Sequence, residues 1–128
     1  MAGGILISAP SNAVVSHNTA LNNDISIWIA GDLTSSGPAV KVSKNTASGN
    51  YDYGIVYDSL NDTASHNSIS NSSVGLLAVT YGNFNTLVYD LHNSYSAVGQ
   101  NTQVLQPSPP YPPYTATIVT KNGQDNND

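Results

Sequence analysis

The sequence contains no cysteine, no arginine and no glutamate, and only 9% of its 128 residues are charged. The absence of cysteine excludes disulfides, thiolate metal sites and thiol nucleophiles. Three lysines cannot build the basic patch that a nucleic acid requires, so we expect no nucleic-acid partner. Every apolar run falls short of the roughly 18 residues of a membrane span. The sequence therefore predicts no membrane-spanning segment.

Asparagine, serine and threonine supply most of the polarity, and β-branched and aromatic residues are plentiful. This composition favours strands over helices. The apolar residues occur in short alternating runs separated by Asn, Ser and Gly, which predicts an all-β chain of one domain. One series of such runs comprises Gly4–Ile7, Ser26–Ile29, Gly54–Tyr57 and Gly75–Ala78.

A four-residue signature, Ser-His-Asn-Ser at residues 65–68, recurs with small changes three more times. Its central asparagines are Asn18, Asn45, Asn67 and Asn93, spaced 27, 22 and 26 residues apart. A repeat of this length is typical of stacked architectures. A β-sandwich has no reason to place one asparagine at the same point of every repeat. In a coil the equivalent residues lie above one another, so each inward amide can bond the next turn. We therefore predict a parallel coil of about four turns with an asparagine ladder.

The pattern Gly-Ile-x-Ile, a variable loop, Val-x-Ser-His-Asn-Thr and a short Asn/Ser turn resembles the right-handed parallel β-helix repeat. That repeat occurs in the pectate-lyase-like superfold and in periplasmic copper-associated β-helix proteins. The resemblance covers about residues 4–96. It implies the fold but little about activity, because this superfold includes lyases, hydrolases, adhesins and inert spacers.

The last part of the chain departs from the repeat. We divide the chain into a β-helix at 1–105 and a C-terminal arm at 106–128. The arm begins with a proline-rich segment, Pro107–Tyr114, which favours an extended conformation. A strand is predicted at Thr115–Thr120, followed by a frayed polar tail. Ile118 and Val119 on this strand are candidates for docking onto the chain's own coil or onto a neighbour.

Two chemical sites are alternatives to a purely structural interpretation. Stacking would place His66 and His92 on adjacent turns, close enough to share a metal ion, although Lys44 interrupts the histidine row. Asp58, Asn61 and Asp62 would offer oxygen ligands for calcium if they lay together. The acidic calcium sites of pectate-lyase-like enzymes work with an arginine base, which this sequence lacks. The carboxylates show no motif of a glycoside hydrolase either, so we predict a non-enzymatic protein without a cofactor.

An apolar row is the feature that most favours an interaction. If the alternate isoleucines point inward, strand geometry turns Leu6, Trp28, Val56 and Leu77 outward in one exposed stripe. Such a patch usually marks an interface. Three occupants remain open: the arm strand through Ile118 and Val119, a second subunit, or a carbohydrate stacked on Trp28.

The first predicted strand starts at Gly4 with no capping segment before it, although solenoids usually carry polar caps. We expect either further protein before it or subunits that stack end to end. The resulting hypothesis is an extracellular or cell-surface structural protein that forms a homo-oligomer, filament or layer. The alternative is a carbohydrate-binding or carbohydrate-processing β-helix. Sequons at Asn61 and Asn71 permit glycosylation.

Overall fold

A computed structural model describes residues 3–8, 13–30, 40–49, 52–58, 61–80, 85–106 and 115–121. All regular secondary structure in these ranges is β-strand. The strands are β1 (Gly3–Ser8), β2 (Val14–Ser16), β3 (Thr19–Leu21), β4 (Ile25–Ala30), β5 (Val40–Ser43), β6 (Thr46–Ser48), β7 (Tyr53–Asp58), β8 (Asn61–Ser65), β9 (Ser68–Val79), β10 (Thr86–Leu91), β11 (Ser94–Leu105) and β12 (Ala116–Lys121).

The strands form a coil with three faces, and all described pairings between them are parallel. The first face contains β1, β4, β7 and the C-terminal halves of β9 and β11. The second face is the five-stranded sheet β2, β5, β8, β10 and β12. The third face contains β3, β6 and the N-terminal ends of β9 and β11. The predicted all-β parallel β-helix is confirmed.

The core lies inside this coil because alternate residues of each strand point inward and stack in columns. On the first face, Ile5 pairs with Ile27, Ile27 with Ile55, Ile55 with Leu76, and Leu76 with Thr102. The three middle members of this column are completely buried. The column therefore has one member in each of five strands of the first face. This is close to the predicted coil of about four turns.

The asparagine ladder occupies the corner between the second and third faces. The side chain of Asn45 donates from Nδ2 to Oδ1 of Asn67 at 3.0 Å, and the backbone N–H of Asn45 donates to the same oxygen at 2.9 Å. Asn18 bonds Asn45, and Asn67 bonds Asn93, in the same way. The ladder is directional, because Oδ1 of Asn45, Asn67 and Asn93 accepts from the preceding turn, and Nδ2 of Asn18, Asn45 and Asn67 donates to the following one.

Two columns of left-handed backbone conformation make the turns on either side of the third face. The first consists of His17, Lys44, His66 and His92, with φ between 55° and 59°. The second consists of Asn22, Gly49, Asn71 and Ala97, with φ between 54° and 70°. Asparagine and glycine tolerate this conformation best. The repeated Asn/Ser/Gly turns in the sequence are therefore explained by the geometry of the second column.

A glycine at the start of the first face permits close packing between turns. A Cβ added at Gly54 would lie 2.6 Å from Cγ2 of Ile69 and 2.7 Å from the carbonyl oxygen of Gly75. Real Cβ contacts are never that short, so a larger residue would push the third face away from the first. Gly54 thereby allows the first face to pack closely against the third face at this corner, without a gap in the core.

The last strand extends the second face. β12 pairs in parallel with β10, which places Ile118 beside Val88 and Val119 beside Tyr89. The strand predicted at Thr115–Thr120 is thus paired with the chain's own coil. The predicted proline-rich segment at Pro107–Tyr114 and the tail at 122–128 lie outside the described residues.

Candidate functional site

The predicted apolar row is aligned as expected but is not exposed along its length. Leu6 pairs with Trp28, Trp28 with Val56, and Val56 with Leu77. Leu6 is 60% exposed, whereas Val56 and Leu77 are each only 4% exposed. The expectation of a continuous exposed stripe is therefore wrong for Val56 and Leu77. They belong to a second apolar cluster that also includes Trp28 and Tyr53, which we call the outer cluster.

The arm strand does not cover this row. Ile118 packs against the interior core, and Val119 continues an outward column of the second face after Tyr89. Strand β12 therefore contributes to the second face, whereas the row lies on the first. The interpretation of Ile118 and Val119 as a cover for Leu6 and its neighbours is wrong for this reason.

The histidine pair is stacked rather than convergent. The rings of His66 and His92 lie with centroids 5.0 Å apart and planes 12° from parallel. Imidazole binds a metal through a nitrogen lone pair in the plane of its ring, at about 2.0 Å. Two nearly parallel planes at this separation do not direct their lone pairs to one ion. Within the described ranges, no cluster of three or more potential metal ligands is formed.

Two aspartates lie inside the coil. Asp62 and Asp90 are each 1% exposed. They occupy inward columns of the second face, in which Asp62 pairs with Val40 and Asp90 with Ala64. The backbone N–H of Val40 donates to Asp62 at 3.3 Å. Because its side chain points inward, Asp62 cannot form the predicted calcium site with Asp58.

Asp90 terminates the asparagine ladder. Its Oδ1 accepts from Nδ2 of Asn93 at 2.6 Å and from the hydroxyl of Tyr95 at 2.9 Å. Its Oδ2 accepts from Oγ1 of Thr120 at 3.0 Å. The carboxylate thus substitutes for the next asparagine as the acceptor of the last ladder amide. It also holds β12 against the preceding turn, so its role is structural.

Burial changes the proton affinity of two further groups, Tyr57 and Asp58. The Tyr57 hydroxyl donates to the carbonyl of Thr63 at 3.1 Å. Its pKa lies well above 10.0, first because it is buried and second because Asp62 and Asp90 are nearby. Burial also raises the pKa of Asp58 from 3.8 to about 6. Asp58 is only half-buried, at the C-terminal end of β7.

The first end of the coil exposes large apolar side chains. Leu6 on β1, Val14 on β2 and Leu21 on β3 are 60%, 63% and 52% exposed, one on each face. The corresponding positions in the next turn are Trp28, Lys41 and Ser48. Each of the three end strands pairs on one side only among the described strands. This end is an open, apolar sheet edge.

The last end exposes apolar residues as well. Val104 and Leu105 at the end of β11 are 44% and 42% exposed. A hollow of about 520 Å³ opens between β11 and β12, and Thr102, Val104 and Ile118 are among its lining residues. These residues continue inward columns that are filled in the middle of the coil. The two ends together are the candidate interaction site.

One of the two predicted glycosylation positions can be placed. Asn71 is exposed and lies in the second left-handed column at φ 54°, where its Nδ2 donates to the hydroxyl of Ser48 at 3.4 Å. The side chain of Asn61 lies outside the described part of the structure. Glycosylation at both positions remains a prediction.

The family model described as the right handed beta helix region matches residues 1–91, which is more than half of the chain. The chain belongs to the right-handed β-helix family. No curated protein and no solved structure matches it. In this β-helix, the described residues form no helix that is long and apolar enough to span a membrane.

The sequence held a signal for the buried aspartates of this β-helix. Asp62 and Asp90 occupy positions where the preceding turn carries Val40 and Ala64, within an otherwise apolar alternation. A carboxylate in such a column has two possibilities. Either the strand shifts its register and turns the side chain outward, or the side chain is buried and accepts hydrogen bonds from nearby donors. For Asp90, the nearby Tyr95 and Asn93 supply those donors. That they converge on Asp90 was visible only in three dimensions.

Proposed function

We propose that this β-helix is a non-enzymatic structural protein of the extracellular space or cell surface. Its subunits associate with one another through the ends of the coil to form a filament or a layer. The observation that carries this proposal is the pair of open sheet edges, flanked by exposed Leu6 and Val14 at one end and by Val104 at the other. Open edges with apolar flanks are templates for pairing with another chain.

The positions of the buried carboxylates support a structural role for the protein. Asp62 and Asp90 are buried in the coil, and Asp90 is occupied by three side-chain donors. A general acid or base has to reach its substrate, and these two groups are enclosed by the sheets. The low-charge composition, rich in Asn, Ser, Thr and Tyr, fits an extracellular setting.

The proposal is tested by light scattering over a range of protein concentrations, followed by electron microscopy. We expect particles larger than one chain whose mass rises with concentration. The substitution Leu6→Lys at the exposed edge should reduce association by introducing a charge. Thr46→Lys is the matched control, because Thr46 is exposed on a middle strand. A particle that stays monomeric at every concentration would refute self-association.

Carbohydrate binding is a second candidate, favoured by one feature of the outer cluster. Trp28 and Tyr53 lie there together and are both partly exposed. The Trp28 indole N–H is buried without a hydrogen-bond partner among the described residues, so a sugar would contact the partly exposed remainder of the side chain rather than this N–H. A glycan array with Trp28→Ala as control tests this candidate. Absence of binding, or binding unaffected by the substitution, would eliminate it.

A further inference from the structure

We propose that the copies stack head to tail in the register of the coil itself. The C-terminal half of β11 of one copy pairs in parallel with β1 of the next copy, and β12 pairs with β2 of the next copy. This inference rests on the proposed self-association and specifies its geometry. On the first and second faces the occupant of the open edge is then a second copy of this chain, and its contact repeats the strand pairing that already joins successive turns on those faces.

The facing edges lack the features that normally prevent such pairing. Natural edge strands are protected by charged residues, prolines or bulges. Strands β1 and β2, and the stretch Val98–Leu105 of β11, contain no charged residue and no proline. Lys121, at the very end of β12, is the single charge on the four strands that would meet. Like charges would therefore not oppose one another across the joint.

The inward columns of the first face continue across the joint. Ile5 and Ile7 of β1 are partly exposed, whereas Ile27 and Ile29 one turn later are completely buried. Continuing the observed register by one strand would place Ile7 of the next copy over Val104. The two isoleucines of β1 would then enter the hollow of about 520 Å³ between β11 and β12. Removing such apolar surface from water favours the contact.

The second face has complementary side chains as well. Val14 is the first member of an outward column that runs through Lys41, Thr63 and Tyr89 to Val119. In a stacked pair, Val14 of the next copy would follow Val119. This places the exposed end residue of β2 beside an apolar residue of β12. Ile7 over Val104 and Val14 beside Val119 are thus apolar pairs in one register, whereas Ile5 and Leu6 would meet Thr102 and Gln103.

The parallel pairing of the strands favours head-to-tail over head-to-head stacking. Two first ends facing each other would pair β1 with β1 in antiparallel fashion, whereas every described pairing is parallel. A head-to-tail contact does not close on itself, so its repetition generates a filament.

The absence of cysteine makes this register directly testable by cross-linking. Leu6 and Gln103 are the end members of one outward column and would be neighbours across the joint. Paired strands are about 4.8 Å apart, which suits the Cα separation of a disulfide. Within one copy, three strands separate the two positions, so they cannot bond to each other. We expect the double variant Leu6→Cys with Gln103→Cys to form covalent multimers of three or more copies on oxidation.

The single variants and a shifted pair provide the controls. Each single variant can form at most a dimer, and we expect neither Leu6→Cys nor Gln103→Cys alone to do so. Leu6→Cys combined with Gln100→Cys, three residues out of register, should not cross-link. Dimers of Leu6→Cys alone would overturn head-to-tail stacking in favour of head-to-head contact. Association by light scattering without cross-links in the double variant would overturn the register alone, whereas a monomer would overturn the proposed function too.

Discussion

The middle and the ends of the coil contain the same columns in different surroundings. Asn67 in the middle is 1% exposed and engages both neighbouring turns, whereas Asn18 at the first end is half-buried and engages only one. Ile55 is completely buried, and Ile5 of the same column is partly exposed. A residue of this repeat is therefore stabilised by the turns on either side of it, as in other solenoids.

The largest difference in stability between the middle and the ends of the coil is expected for substitutions in the asparagine ladder. Asn67→Ala removes the donor to Val42 and Asn93 and leaves the N–H groups of Asn45 without their acceptor. Buried groups left without partners cost about 1–3 kcal/mol each. We expect a loss of about 3 kcal/mol in the free energy of unfolding for Asn67→Ala, measured by urea denaturation.

The matched substitution at the end is Asn18→Ala. Water reaches this position, so we expect a loss of about 1 kcal/mol or less. Equal losses for the two alanine variants would show that the ladder contributes evenly along the coil. The contrast between middle and end would then be wrong.

The second prediction concerns the last end, where Asp90 closes the ladder. Asp90→Asn keeps the shape of the side chain but brings an NH₂ group toward Asn93, Tyr95 or Thr120, all of which donate to the carboxylate. Hydrogen bonds to charged groups contribute about 1.5–3 kcal/mol, so we expect a loss of about 2 kcal/mol. Amide hydrogen exchange should accelerate selectively in β12. Thr120→Val, which removes one of the three bonds, should have a smaller effect in the same strand.

A third prediction compares two members of the second left-handed column. Ala97 at φ 54° is strained, because an L side chain costs about 1–2 kcal/mol in this region. Ala97→Gly should therefore raise the free energy of unfolding by about 0.5–1 kcal/mol, after the entropy that glycine adds to the unfolded chain. Gly49→Ala should instead lower the free energy of unfolding, because an L side chain is strained at φ 70° and its Cβ would displace the Asn22 side chain. Thermal unfolding of both variants measures these changes.

The smallest expected effect is the pH dependence that arises from Asp58. Burial raises the pKa of this carboxyl group from 3.8 to about 6, so the folded protein binds the proton more tightly than the unfolded chain. The resulting stability is fully present below about pH 4 and is lost as the pH rises through about 6. The melting temperature of the Asp58→Asn variant should vary less with pH over this window. At pH 7 it should be slightly higher than the melting temperature of the unmodified protein. A Tm profile that is unchanged by the substitution would contradict this assignment.

The fold was predictable because its strongest determinants are periodic. The recurrence of Asn18, Asn45, Asn67 and Asn93 specified both the parallel stacking and the ladder. The exposure of individual outward residues was less predictable, because alternation gives the direction of a side chain but not what else packs on that face. For that reason Val56 was expected on the surface and is buried.

The buried aspartates illustrate a second limit of sequence reasoning. A charged residue is almost never fully buried unless it is paired, so placing Asp90 inside required knowledge of its three donors. These donors come from β11, β12 and the ladder, and Thr120 is 30 residues away in the sequence. No local pattern brings such residues together. The first end of the coil, by contrast, was expected from the sequence either to continue into further protein or to stack on another subunit, and its function remains a proposal.

The ladder also constrains how the chain can reach its native state. An asparagine such as Asn67 finds all its partners only after the turns before and after it exist, so an isolated turn has little stability. We expect a costly nucleus of about three consecutive turns, followed by rapid addition of turns at both ends, as in one-dimensional cooperative systems. Because every pairing joins segments more than 20 residues apart, loop closure should make that nucleus slow to form.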